Sequence, residues 1–383
     1  MSKTVLILGA GVGGLAAANL LRRSLPKGSR VVVADRERSV SFAASYLWVM
    51  SGERRAEQLS PPLDRLRRKG IELIEGEIER IDPNKREATI GGASISADYL
   101  IVALGADFVP ETVPGLVEGG LTFTTLAGAA QLRAALAAFT EGRVVVLTAA
   151  PLYKCPAAPY EAAMLIEAGF RRRGIRKQVT VELYAAEPGP MGVAGPAVSA
   201  AVRGMVEAQG IGYFPDHQVT KVDPIGRSVE FANGKRAGYD LLVYMPPVRA
   251  PQVVRESGLV DKSGWVAVDR NTLATRFAAV YALGDVATIP LSMGKPLPKA
   301  GVFARAQAEV VARNIARIVS GRGRAASFDG HGACFVEVGA GKAGFGAGNF
   351  YGEPVPTVNM RRPSWYWHVG KVLYEKYWFW RWP

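Results

Sequence analysis

Cysteine is almost absent, with two residues in 383, Cys155 and Cys334, and no CxxC pair. That excludes disulfide-stapled secreted folds and thiolate zinc modules, and no metal is expected. Histidine is equally scarce, at three residues. No apolar run reaches the roughly 18 residues that a spanning helix requires, so any membrane contact is expected from one side. The first strand opens at Thr4 and leaves no room for a charged segment, an apolar segment and a cleavage site, so no cleavable signal peptide is expected. The basic residues are dispersed and match no helix-turn-helix, RNP or zinc-finger pattern, which argues against nucleic acid as a partner.

What is present points to a large α/β enzyme. A chain of 383 residues that is 49% hydrophobic can bury two or three cores. Lys and Arg total 47 against 34 Asp and Glu, a formal charge of +13, which favours anionic surfaces or small anionic substrates.

The opening segment carries the strongest signal. Thr4-Val5-Leu6-Ile7-Leu8 reads as a buried strand, Gly9-Ala10-Gly11-Val12-Gly13-Gly14 as a tight turn, and 15–25 as a helix. The next strand, 30–34, ends at Asp35, 21 residues beyond Gly14. In such a unit Gly9 allows the turn, Gly11 lets backbone approach a pyrophosphate, Gly14 permits close packing, and Asp35 binds a ribose hydroxyl. Residues 98–106 form another hydrophobic strand, running into the Leu104-Gly105-Ala106 turn. Val280-Tyr281-Ala282-Leu283-Gly284-Asp285 repeats that design with an acid that can face the polar part of a flavin dinucleotide. Gly91-Gly92 closes a hairpin.

Between these parts lies an inserted α/β unit with helix 127–140, strand 144–148, helix 160–169, strand 179–185 and a returning strand 239–244. A second glycine-rich loop would be expected after Val144-Val145-Val146-Leu147-Thr148. The chain instead has Ala149-Ala150-Pro151-Leu152-Tyr153-Lys154-Cys155-Pro156, so one nucleotide site is built and the other is replaced by a cysteine.

Gly9, Gly11 and Gly14 with Asp35, the Gly105 turn and Tyr281 to Val286 together resemble the two-dinucleotide-domain flavoproteins, the superfamily of glutathione reductase and type II NADH dehydrogenases, over residues 1 to about 320. The resemblance implies an α/β fold of two tandem Rossmann-like dinucleotide-binding domains plus a C-terminal membrane-binding region. The expected division is 1–110 and 246–325 for the FAD-binding domain, 111–245 for the unit bearing Cys155, and 326–383 for the C-terminal region. Lys154-Cys155-Pro156-Ala157-Ala158-Pro159-Tyr160-Glu161 is similar to the CPxAPxE segment of sulfide:quinone oxidoreductases and of the flavoprotein subunit of flavocytochrome c sulfide dehydrogenase. Those families carry a second essential cysteine followed by an aromatic, and Cys334-Phe335 stands in that place.

The resemblance implies that Cys155 and Cys334 meet at the flavin, that sulfide opens a bridge between them, and that Glu161 accepts a proton. Lys299 is expected to start a helix facing the flavin pyrimidine. Many quinone-reducing members have a third cysteine and a His near Glu187 to Gly192; this chain has neither, which leaves Glu161, Lys299 or water for proton handling. Flavocytochrome c flavoproteins tether the flavin through a cysteine where Ser45 stands here, so noncovalent FAD is expected.

Residues 365–383 hold five of the seven tryptophans beside Lys371, Lys376 and Arg381, an interfacial composition suited to anionic lipid. In the family a lysine and an aromatic three residues later line the quinone pocket; Lys371 and Tyr374 have that spacing, and Phe335 would complete the clamp. The expected protein is thus a peripheral, monotopic enzyme of the cell membrane, with sulfide, quinone and anionic lipid as partners and homo-oligomerisation left open. Three alternatives stay open: a flavoprotein donating to a cytochrome c, separated by its acceptor; a type II NADH dehydrogenase, separated by flavin bleaching with NADH; and a non-enzymatic flavin-bearing scaffold, separated by absence of turnover.

Overall fold

The computed structural model describes residues 2–383. Two parallel sheets of five strands form its body. In the first, Thr4–Leu8 lies at the centre, with Arg30–Asp35 and then Glu72–Glu75 on one side, and Tyr99–Val102 and then Val280–Ala282 on the other. The central residues Val5 to Leu8 are fully buried, as a strand covered on both faces requires. The second sheet repeats the plan around Gly142–Thr148, with Val179–Tyr184 and Gly212–Phe214 on one side and Leu241–Met245 and Leu121–Thr122 on the other. Each unit also inserts a three-stranded antiparallel meander, 78–96 in one and 219–238 in the other. The turn at Gly91-Gly92 joins Glu87–Ile90 to Ala93–Ser96 as a two-residue hairpin with both glycines at positive φ.

Most of the elements read from the sequence fall within a few residues of the observed ones. The first helix begins earlier than expected, at Val12, and the helix after Cys155 runs longer, Ala158–Arg172. One expectation fails outright. Lys299 does not start a helix, because Ala300 is the extended residue before Gly301–Ser320, and Lys299 pairs in a short parallel bridge with Lys154. Helix Gly301–Ser320 instead packs along Val12–Ser24.

The C-terminal region adds an antiparallel sheet of three strands, His331–Gly339, Lys342–Asn349 and Thr357–Ser364, followed by helix Trp365–Arg381. Helix Ala158–Arg172 lies against the first of these strands. That contact carries Cys155 and Glu161 of one unit to Cys334 and Glu337 of another.

Candidate functional site

The glycine-rich turn is shaped by close approaches. Gly9 has φ of 99°, and a side chain there would sit 2.6 Å from the Ala103 carbonyl oxygen; one at Gly14 would run into the Gly9 carbonyl. Gly11 faces open space. Asp35 holds the turn through its carboxylate, accepting from the backbone N–H of Ala10 at 2.5 Å and of Glu37 at 2.9 Å. Across the cleft the Gly284 N–H is fixed by Gln307 at 2.7 Å, and Oδ1 of Asp285 is buried without a protein partner. A small cavity here is lined by Gly284, Ala287, Leu297, Lys299, Phe303 and Gln307. An open glycine cradle at one end and an orphaned carboxylate oxygen at the other fit a bound dinucleotide whose hydroxyls would satisfy that oxygen.

Lys299 lies inside this region and is 4% exposed. Its Nζ donates to the Asp285 carbonyl at 2.6 Å and stands 3.3 Å from the centre of the Trp265 ring. Burial lowers its pKa from 10.5 to about 7, outweighing the Asp285 charge that acts the other way. Lys154 forms an ion pair with Asp285 at 3.7 Å.

Cys155 is locked to this cleft by backbone. Its N–H donates to the Lys299 carbonyl at 2.8 Å and its own carbonyl accepts from Ala158 at 2.9 Å. The residue sits at φ of 54°, left-handed backbone that an L-residue adopts at a cost on the order of 1 kcal/mol. The surrounding bonds hold that conformation, and the result is a thiol presented just before the helix Ala158–Arg172. Cys155 and Cys334 are both free thiols and half-buried. Burial pushes Cys155 up to about 12, with the Glu161 charge adding to the effect and Lys371 opposing it. Cys334 is pushed well above the usual thiol range, by burial first and then by Cys155 and Glu161, again against Lys371. Each thiol therefore feels the same lysine and the same carboxylate.

Those two groups are bonded to each other. Glu161 Oε1 accepts from Lys371 Nζ at 2.7 Å and from the Glu337 backbone N–H at 2.8 Å. Glu337 Oε1 is 4.0 Å from the same ammonium, and its Oε2 is 3.0 Å from His368 Nδ1. Burial works against the Lys371 charge, but Glu161 and Glu337 together outweigh it and raise its pKa. Burial raises Glu337, with Lys371 and His368 opposing. Lys371 also stands 5.0 Å over the Trp48 ring. Phe335 packs near Gly370, beside Lys371, and lies tilted against Phe345, which in turn stacks on Trp367, while Tyr374 lies a turn further on against Phe42.

At the second sheet the acid that corresponds to Asp35 is engaged by the protein itself. Glu187 follows the strand that corresponds to the one ending in Asp35, and it is buried. Its carboxylate accepts from Thr148 at 2.8 Å, from Tyr160 at 2.6 Å and from Tyr153. An acid whose lone pairs are held by three protein hydroxyls has little left for a ribose.

The C-terminal helix is inverted relative to an ordinary surface helix. Lys371, Glu375 and Trp378 face inward, whereas Trp365, Val369, Leu373, Tyr377 and Trp380 are exposed, Trp380 by 78% and Leu373 by 61%. Glu375 accepts from Ser45 at 2.5 Å and pairs with Arg54 at 2.9 Å. No helix among the described residues is long and apolar enough to cross a membrane.

The structure thus gathers Cys155, Cys334, Glu161, Lys371 and Phe335 into one place, with Tyr374 at its margin. It brings Gly9, Gly11, Gly14, Asp35, Gly284, Asp285 and Lys299 around the adjoining cleft, and Gly105 faces Lys154 at its edge. Sequence reasoning missed Glu337 and His368. The signal for His368 is its spacing, three residues before Lys371 and so on the same helix face.

The chain matches the pyridine nucleotide-disulphide oxidoreductase family over residues 3–308. It is 28% identical to the sulfide-quinone reductase of Aquifex aeolicus, across 100% of this chain and 91% of that protein. The mitochondrial sulfide:quinone oxidoreductase of Mus musculus is 25% identical across 92% of this chain and 79% of its own length. The solved structure of the Aquifex aeolicus sulfide:quinone oxidoreductase superposes with a TM-score of 0.90 at 26% identity, covering 99% of this chain and 91% of that one. With its duplicated parallel sheets, its glycine cradle and the matching span, the chain belongs to the pyridine nucleotide-disulphide oxidoreductase family and is a flavin-dependent oxidoreductase.

Proposed function

We propose that this protein is a sulfide:quinone oxidoreductase that binds FAD noncovalently at the periphery of a membrane. The observation that carries the reading is the convergence of Cys155 and Cys334 on one Glu161–Lys371 pair beside the dinucleotide cleft. Full-length likeness to proteins named for that reaction supports it. FAD supplies, when bound, a two-electron acceptor that can pass those electrons onward. Gly9, Gly11, Gly14 and Asp35 would hold its nucleotide end, and Gly105, Gly284, Asp285 and Lys299 the part near the thiols. Ser45, already bonded to Glu375, offers no tether.

Within this reading the oxidised pair is a Cys155–Cys334 bridge. Attack by HS⁻ breaks the S–S bond, forms a persulfide on one sulfur and leaves a thiolate on the other. Loss of two electrons and one proton then joins them as a bridge containing one zero-valent sulfur. Lys371 stabilises the anionic sulfur, and Glu161 orients Lys371 and takes protons. Phe335, Lys371 and Tyr374 border the quinone, which takes up two electrons and two protons. Residues 1–110 and 246–325 form the cofactor-holding part, 111–245 the cysteine-bearing part and 326–383 the membrane part. The exposed aromatic face of Trp365–Arg381, with Lys376 and Arg381, meets anionic lipid at the level where quinone is available.

The test is steady-state reduction of a short-chain quinone by sulfide in the purified holoenzyme. Turnover is expected, and C155S or C334S should lower it by at least about a hundredfold, as loss of a covalent nucleophile does. Turnover undiminished in both variants would refute the role given to the pair.

A further inference from the structure

The buried charge group beside the thiols holds two carboxylates and one ammonium. Glu161, Glu337 and Lys371 are 2%, 1% and 6% exposed, so with all three ionised one negative charge is left over away from water. Such a charge is costly unless another group compensates it. The side chain in position to do so, on taking up a proton, is His368, whose Nδ1 lies 3.0 Å and 3.1 Å from the two Glu337 oxygens. An ionised carboxylate only accepts, so Nδ1 carries the hydrogen and Nε2 is left as acceptor. The His368 side chain is 21% exposed, which makes it the member of the group closest to solvent.

The other groups around it are accounted for. Trp48 covers the cluster, with the His368 ring edge-on at 5.9 Å. Arg54, over the same indole at 4.6 Å, is neutralised by Glu375. The titratable groups left facing the cluster are the thiols, Cys155 from the loop before helix Ala158–Arg172 and Cys334 from the strand that also bears Glu337.

We propose that the Glu337–His368 pair receives, by way of Glu161 and Lys371, the proton that Glu161 takes at the Cys155–Cys334 site and passes it to solvent. The proposal rests on the reading of the two cysteines as the sulfur site. In the step, the persulfide S–H bond breaks and an N–H bond forms at Nε2; in the fully reduced enzyme the S–H is that of a thiol. The sulfur becomes anionic, the neutral imidazole becomes imidazolium against Glu337, and the proton transfer itself moves no electrons. Lys371 stays between its two carboxylates, and once Glu337 is matched by imidazolium more of the lysine charge is available to the sulfur anion.

The experiment uses reduced holoenzyme and follows the rate at which methyl methanethiosulfonate modifies Cys155 and Cys334 as a function of pH, in wild type, H368Q and E337Q. H368Q removes the acceptor and should move the profile to higher pH. E337Q removes one negative charge and should move it to lower pH, each by about one unit. Sulfide-driven bleaching of the flavin at pH 7 should be about tenfold slower in H368Q, at unchanged FAD content and melting temperature. Profiles that stay at wild type, or shift the same way in both variants, would overturn the proposal, since a purely structural role gives no opposite signs. If wild type were not bleached by sulfide the reading of function would fail, and the thiol profiles would still decide the role of the pair.

Discussion

Lys299 shows how much of a residue's role lies outside its sequence neighbourhood. Its lowered pKa, about 7 against 10.5, means that between those values the unfolded chain holds a proton which the folded chain has released. Stability of the flavin-free protein therefore rises with pH through roughly 7 to 10.5; below that window both states are protonated and the folded one carries the full cost of a buried ammonium. K299M should flatten this slope, read from urea midpoints at pH 7 and pH 9.5, and a slope equal to wild type would contradict the assignment. At this scale the sequence was legible where residue type and spacing specify chemistry. Cys155 stood out because a cysteine replaces a glycine loop, and Asp285 because it follows a strand and a glycine. It was illegible where partners come from far along the chain. Glu337 meets Glu161 across 176 residues and Lys371 meets it across 210, and no local pattern encodes either pairing.

At the scale of elements, the C-terminal helix has two faces with separate work. Its outer face makes few contacts within the protein, so L373S/W380S should leave stability within about 0.5 kcal/mol. The same double variant should weaken sedimentation with anionic lipid vesicles by at least about tenfold, given about 1.5 kcal/mol or more for each large apolar side chain withdrawn from an apolar medium. Unaltered vesicle binding would remove the face from the membrane. The inner face behaves oppositely: E375Q leaves Arg54 without its counter-charge and weakens the bond to Ser45, and should lower stability by about 1 to 3 kcal/mol in chemical denaturation. A variant as stable as wild type would show that this contact does not hold the helix down.

The aromatic composition of this helix and the spacing of Lys371 were readable, but the inward turn of Glu375 and Trp378 was not, because they read as an ordinary polar and aromatic mixture until the docking surface is known. The antiparallel sheet before it was also missed. Lys342–Asn349 reads KAGFGAGN, and its alternating glycines suggest a loop by propensity. They lie where neighbours crowd the backbone: a side chain at Gly348 would strike the Thr357 carbonyl, and one at Gly344 would press on Met205. Packing here overrides propensity.

For the whole molecule, one topology is used twice and the two copies differ at the ends of their strands. The first sheet ends in Gly11 and the unpartnered Asp285 oxygen; the second ends in Glu187, bound by Thr148, Tyr153 and Tyr160, with Cys155 just beyond. The strand and turn signals that reveal the duplication are local, so the two parallel sheets were readable, while the C-terminal sheet was not. That Glu187 is held by Tyr153 and Tyr160 was not, because hydroxyl partners depend on the folded arrangement. In the proposed function the electrons come from a sulfur donor at the thiols and not from a nicotinamide at the second sheet. The most direct test is anaerobic: mix the FAD-loaded protein separately with sulfide and with NADH, and follow the flavin absorbance through a single turnover. The account predicts rapid bleaching by sulfide, recovery on adding a short-chain quinone, and no bleaching by NADH. Bleaching by NADH with none by sulfide would contradict it.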